Sequence, residues 1–266
     1  MAIDYVIDLD CVPKQTLGTE GILERLKGLD RARSIIELYR QHGDDRTPKE
    51  MGFEMVRTAA DGSEETQIII VQHLLDSAEE LKPLEHYCDG CPANRTGDPF
   101  GCMGRIGYPL SPFGEAWLLN QLPEPTDTLV WLLLREGIMK FGYDGSTARR
   151  LREDSRTIFS EARTIQRVLG EITVNSDQVF EMTFLLGHIQ PNHAAILLLF
   201  FNGLDRGQFE ANQIMNIGTM PLDIREEYDF MITISADDDQ TTTELKQFLY
   251  ALYLAWQLDV QLLLDV

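Results

Sequence analysis

The chain opens on an alternation. Ile3, Tyr5, Ile7 and Leu9 are apolar and Asp4 and Asp8 are acidic, the period of two that predicts a half-buried strand. Cys11 follows, and Pro13 and Gly18 stop the strand. Thr19 offers an N-cap to a long amphipathic helix carrying Ile22, Leu26, Leu29, Ile35, Ile36 and Leu38 at helical spacing, with Gly28 as a point of division and His42-Gly43 at its end. Strands are predicted over 52–58 and 65–71, flanking an Asp61-Gly62 turn signal. The β-branched run Ile68-Ile69-Ile70-Val71 reads as a central strand, and a short helix is expected from Leu74 to Leu81.

Beyond residue 112 the period becomes helical. Helices are predicted over 112–122, with Trp117 and Leu118 inward, and over 126–141, with Leu129, Leu132, Leu133 and Ile138 buried. Further helical stretches follow at 146–169, 176–188, 192–204 and 205–214, with Gln190-Pro191 breaking the middle pair. Alternation returns at 228–235, where Phe230, Ile232 and Ile234 face away from Met231 and Thr233, and predicts a strand. Asp237, Asp238 and Asp239 then introduce an amphipathic helix over 241–256, and a last strand is expected at 260–265. This order predicts an α+β fold. One mixed sheet gathers the N- and C-terminal strands, so 1–112 and 226–266 make a sheet domain with helices packed on it, and 113–225 is a large all-helical insertion.

The chemical accent falls on 86–112, a stretch dense in Gly and Pro that suits neither a helix nor a central strand. Three of the four cysteines lie there, as Cys88-x2-Cys91-x10-Cys102. Two thiolates at this short spacing can be aimed at one ion by a tight turn, and neighbouring glycines permit the positive φ such a turn needs. Cys11 would complete a four-cysteine zinc site, and His86 is the alternative fourth ligand. Burial as small hydrophobes, a Cys88–Cys91 disulfide and an iron–sulfur cluster are the competing readings, although no familiar ferredoxin spacing is present. The stretch has few large aliphatic residues of its own, so ligation free energy is expected to help order it.

Charge narrows the classes of partner. Lys+Arg number 23 against 43 Asp+Glu, a net charge of −20, which repels nucleic acid and anionic membranes. The first residues have neither a basic region nor a long apolar run, so no signal peptide is expected. Nowhere does an apolar run approach a bilayer span, and a cytoplasmic setting with reduced thiols follows. Homo-oligomerisation is left open.

Other constellations are weaker. There is no phosphate loop, no HExxH and no Gly-x-Ser-x-Gly, and the repeat Gly101, Gly104, Gly107 follows no predicted strand. Asp237–Asp239 lacks the glycine and terminal acid of a calcium loop. His188 and His193 could pair as ligands or as acid and base, but read better as polar residues at helix ends. Within 135–167 there are eight basic residues against five acids. There Arg149, Arg150, Arg152 and Arg156 could hold an anion, or could pair with the chain's own acids, the C-terminal stretch 223–266 having ten acids against two bases. Two functional readings result: a binding or interaction protein with a structural metal, and a metal- or thiol-dependent enzyme whose site lies between sheet and helical block.

Overall fold

The structure, a computed structural model, describes residues 2–58, 64–154 and 157–265. The chain divides into two compact units, Asp10–Cys91 and Met1–Leu9 with Pro92–Val266. The helical stretch 113–225 therefore belongs to the same unit as the sheet. The alternating N-terminal segment forms strand β1 (Ala2–Ile7), whose residues from Ile3 onward are buried.

The Asp10–Cys91 unit is built from helices α1 (Val12–Leu17) and α2 (Thr19–Gln41), strands β2 (Gly52–Thr58) and β3 (Glu64–Ile70), and helix α3 (Val71–Ala78). A 3-10 segment over Glu79–Cys88 closes it. Gly28 does not divide α2. It is buried against α3, where a β-carbon would sit at ordinary contact distance, 3.5 Å, from Leu74 Cδ2. The core gathers Ala32, Met51 and Val71, with Ile35, Ile36, Tyr39, Phe53 and Leu74 packed around them. Tyr39 donates its hydroxyl to the Gly52 carbonyl at 3.0 Å, tying α2 to β2. Strands β2 and β3 pair antiparallel as a separate two-stranded ribbon, so the isoleucine run is not a central strand, and Val71 already begins α3. The Asp61-Gly62 turn signal lies outside the described residues.

The other unit continues with β4 (Met103–Gly107), α4 (Pro112–Gln121), α5 (Thr128–Phe141), α6 (Ser146–Asp154), β5 (Gln166–Leu169), β6 (Ile172–Asn175) and α7 (Ser176–Phe184). It ends with β7 (His188–Ile189), α8 (Pro191–Phe200), α9 (Ala211–Met215), α10 (Leu222–Arg225), α11 (Gln240–Gln257) and β8 (Leu262–Asp265). Strands from both chain ends share one sheet in the order β4-β1-β8-β7, as an α+β architecture requires, and each pairing is antiparallel, not mixed. The block 113–225 is not all-helical. Beyond α6 the chain turns into the β5–β6 hairpin, and His188 sits in the edge strand β7 and not at a helix end.

The segment 228–235 is not a strand either. Its alternation is genuine, with Tyr228 buried, Phe230 and Ile232 half-buried and the residues between them exposed. Side chains of α11 attach it, together with a backbone bond from Met231 N–H to the Gly203 carbonyl at 3.0 Å. Tyr253 donates to the Tyr228 carbonyl at 2.9 Å, Lys246 donates to the Thr233 carbonyl at 3.0 Å, and Phe230 packs its ring on Tyr250 and Tyr253. An amphipathic extended segment needs one apolar neighbour surface, and a helix supplies it as well as a sheet does.

Helix ends in this unit are tied by specific side chains. Ser111 caps α4 by accepting from Gly114 N–H at 3.0 Å, and Asp239 caps α11 by accepting from Thr242 N–H at 2.8 Å. The two caps bond to each other, Ser111 donating to Asp239. Gly114 is needed at this crossing, because a β-carbon would fall 2.4 Å from Thr241 Cγ2. The far end of α4 is held by two arginines, Arg167 on the Leu119 and Leu122 carbonyls and Arg206 on that of Gln121. Cations placed there complement the helix dipole. An aromatic series runs through the core from Tyr5 to Phe248, Phe184, Phe180 and Phe159, with centroid spacings of 5.0–5.3 Å. Among the described residues no helix is long and apolar enough to cross a membrane.

Candidate functional site

The paired cysteines form a defined turn. Cys88 ends the 3-10 segment, Asp89 follows at φ −66° and ψ 122°, and Gly90 takes φ +67°. The Cys91 amide donates to the Cys88 carbonyl at 3.3 Å. These angles make a type II turn, which requires positive φ at its third position and so explains Gly90. The ends of such a turn lie within about 7 Å of each other, so both thiols leave from one small feature. Cys88 is buried and Cys91 half-exposed, so the pair has one anchored member and one open to solvent.

Two other proposed ligands belong to the same unit. Cys11 is the N-cap residue of α1; it is half-exposed and its carbonyl accepts from Gln15 N–H at 3.1 Å. Helix α1 packs on the 3-10 segment that ends at Cys88. His86 lies exposed in that segment with its ring against Tyr87, centroids 4.0 Å apart. Cys102 belongs to the other unit, where it is buried and its carbonyl accepts from Ile7 N–H at 3.0 Å, extending the β1–β4 ladder by one rung. Among the described residues no disulfide is formed, and no three His, Cys, Asp or Glu side chains are grouped so as to hold a metal ion.

The loop after the turn orders itself through a residue that cysteine spacing does not reveal. Asn94 Oδ1 accepts from the amides of Thr96 and Gly97 at 3.3 and 3.1 Å, and its amide nitrogen donates to the Asp98 carbonyl at 3.0 Å. Gly101 leaves the space that this side chain fills, since a β-carbon there would fall 2.0 Å from Asn94 Oδ1. Buried Ala93 and Phe100 anchor the loop to the core. Asn94 and Gly97, at the two ends of Asn-Arg-Thr-Gly, are turn-forming residues, and they are the signal the sequence offers here. Residues 92–101 thus have a hydrogen-bonded framework of their own, independent of ligation.

The arginine cluster does not act as a unit. Arg149 and Arg150 are exposed, Arg156 lies outside the described residues, and Arg152 is buried. Its guanidinium donates to Asp177 at 2.8 and 3.0 Å and to Glu115 at 2.8 and 3.1 Å, and lies 3.8 Å over the Phe159 ring. Burial opposes the charge, but the bonds from Glu115 and then Asp177 outweigh it and raise the Arg152 pKa further. Ser176 donates to Glu115 and Thr164 donates to Asp177 at 2.7 Å. Arg152 is therefore engaged internally, by carboxylates of α4 and α7 and not by the acidic stretch 223–266. Neighbouring Glu181, also buried, accepts from the amides of Gly145, Thr147 and Ala148 at 2.8, 2.6 and 3.2 Å, and so caps α6 from α7. No sequence signal marks Glu115, Asp177 or Glu181, which look like ordinary helix-surface acids. Burial lowers the His193 pKa and favours its neutral form. His188 is exposed.

Set against known proteins, the chain matches no family model, no curated protein and no solved structure.

Proposed function

We propose that this is a binding protein of the metal–thiolate class, with zinc as its ion and the Cys88–Cys91 turn as the core of the site. The type II turn carries the reading. It puts two thiols on one tight feature, with a glycine where the backbone demands one, inside a unit that also contains Cys11 and His86. Soft thiolate ligands select zinc or an iron–sulfur cluster over hard cations such as magnesium or calcium. Zinc is preferred here because the cluster spacings are absent and neutral His86 suits zinc as a fourth ligand. Cys11 is the further thiol that the same unit offers as a ligand. A cytoplasmic, reducing setting would keep all of them available, and a closed coordination sphere would make the ion structural, with no position left for substrate.

The test is thiol titration of the purified protein with and without a chelator, alongside visible absorption. A rise in reactive thiols on chelation, with a colourless protein, supports zinc. A brown protein moves the assignment to iron–sulfur. Full thiol reactivity before chelation, with no metal released, overturns both.

A further inference from the structure

We propose that peroxide drives the ion off the Cys88–Cys91 turn by closing its two thiols into a disulfide, which rests on reading that turn as a zinc–thiolate site. The turn geometry suits both states. A disulfide needs its two Cα atoms roughly 4.4–6.8 Å apart, the span that a β-turn sets between its ends. The Cys91 amide already closes the turn on the Cys88 carbonyl at 3.3 Å. Asp89 and Gly90 at the tip are exposed, and a β-carbon on Gly90 would meet nothing within 4 Å. The tip thus has open space in which to adjust as the sulfurs approach.

The two sulfurs differ in exposure, and this sets the order of events. Cys91 is half-exposed and open to a small oxidant, whereas Cys88 is buried. An accessible thiolate beside a second, resolving thiol is the arrangement that oxidises reversibly. Ligation keeps both as thiolates. Cys91 Sγ attacks one oxygen of hydrogen peroxide, the O–O bond breaks, and hydroxide leaves a sulfenic acid on Cys91. Cys88 Sγ then attacks the Cys91 sulfur, the S–S bond forms, the S–O bond breaks and a second hydroxide leaves. Two electrons pass from the two thiolates to peroxide, and zinc(II) departs with its oxidation state unchanged. The ligand form is the thiolate, so the disulfide no longer holds the ion. The core of the unit, around Ala32, Met51 and Val71, contains no cysteine. Its packing survives the loss, and a dithiol reverses the step by exchange.

The experiment treats the zinc-loaded full chain with hydrogen peroxide, following zinc with a chromophoric chelator and cysteine pairing by peptide mass spectrometry. About one zinc per chain should be released as a Cys88–Cys91 linked peptide appears with the loss of one hydrogen from each thiol. Dithiothreitol with added zinc should restore the load, and circular dichroism should stay unchanged throughout. Cys88→Ser, which lacks the resolving thiol, should instead accumulate a Cys91 sulfenic acid that dimedone traps. The peptide map of the unaltered chain keeps the switch testable if that variant misfolds. Zinc that stays bound under peroxide, release without a Cys88–Cys91 link, or a Cys91–Cys11 link would overturn the switch and leave the zinc site standing. A chain that takes up no zinc before oxidation would overturn the site itself, and the switch with it.

Discussion

Arg152 and Asp177 meet where neither side chain reaches solvent, with two nitrogen–oxygen contacts of 2.8 and 3.0 Å. Glu115 grips the same guanidinium from α4, so one cation joins α4, α6 and α7. A buried cation between two carboxylates offsets its desolvation only while its partners are in place, and removing one member leaves the others buried and unmatched.

Arg152→Met should therefore cost about 3–5 kcal/mol of unfolding free energy, measured by urea denaturation. Arg149→Met, three residues earlier and exposed, should cost under about 1 kcal/mol. Similar losses in both variants would show that Arg152 has no special place in the core.

The paired caps predict a pH dependence. Lys246 donates to Asp238 at 2.6 and 2.8 Å and depresses its carboxyl pKa. Burial pulls Asp239 upward, but the bonds from Ser111 and Thr242 outweigh it and leave its pKa below the ordinary value. Depressed folded values stabilise the protein above the unfolded pKa near 4, and the contribution fades as pH falls through the lowered folded pKa. Asp239→Ala should then lower the melting temperature at pH 7, by the equivalent of about 1 kcal/mol for a lost cap. The gap to the unaltered protein should narrow toward pH 2. A gap that stays constant with pH would contradict this.

Gly104 pairs with Tyr5 across β1 and β4, and a β-carbon on it would meet the Tyr5 ring at 2.4 Å and Arg95 Nη2 at 2.5 Å. Gly104→Ala should destabilise by roughly 1–3 kcal/mol through overpacking. Gly137→Ala, where nothing lies within 4 Å, should be neutral or stabilising because it sits inside α5. Thermal melts of the two variants check the contrast.

Much of this fold was legible because its signals are local. The alternation of Ile3 to Ile7, the helical spacing from Thr19 to Leu38 and the acidic cap before α11 each depend on neighbours in sequence, and each element formed. The errors came where one local pattern fits two tertiary settings. Tyr228 to Ile234 alternates as a strand does, yet Tyr253 and Lys246 of a helix receive it. Ile68–Ile70 is β-branched enough for a central strand, yet among the described residues it pairs with β2 alone. At the candidate site, spacing marked Cys88, Cys91 and the need for Gly90. The hydrogen bonds of Asn94 and the burial of Arg152 between Glu115 and Asp177 depend on partners far apart in sequence, and no period encodes them.

The extended attachment of 228–235 has its own test by hydrogen exchange. Met231 N–H donates to the Gly203 carbonyl at 3.0 Å and should be protected. A ladder would protect alternate amides along the whole segment, and slow exchange at both Asp229 and Thr233 would restore the strand.

The central claim is that the Cys88–Cys91 turn holds a metal. Elemental analysis of protein purified under reducing conditions, for the unaltered chain and for Cys88→Ser with Cys91→Ser, tests it most directly. About one zinc per chain is predicted for the unaltered protein, falling to background in the double variant while circular dichroism shows both chains folded. An unaltered chain without zinc or iron, or a double variant that keeps its full zinc load, would contradict the claim.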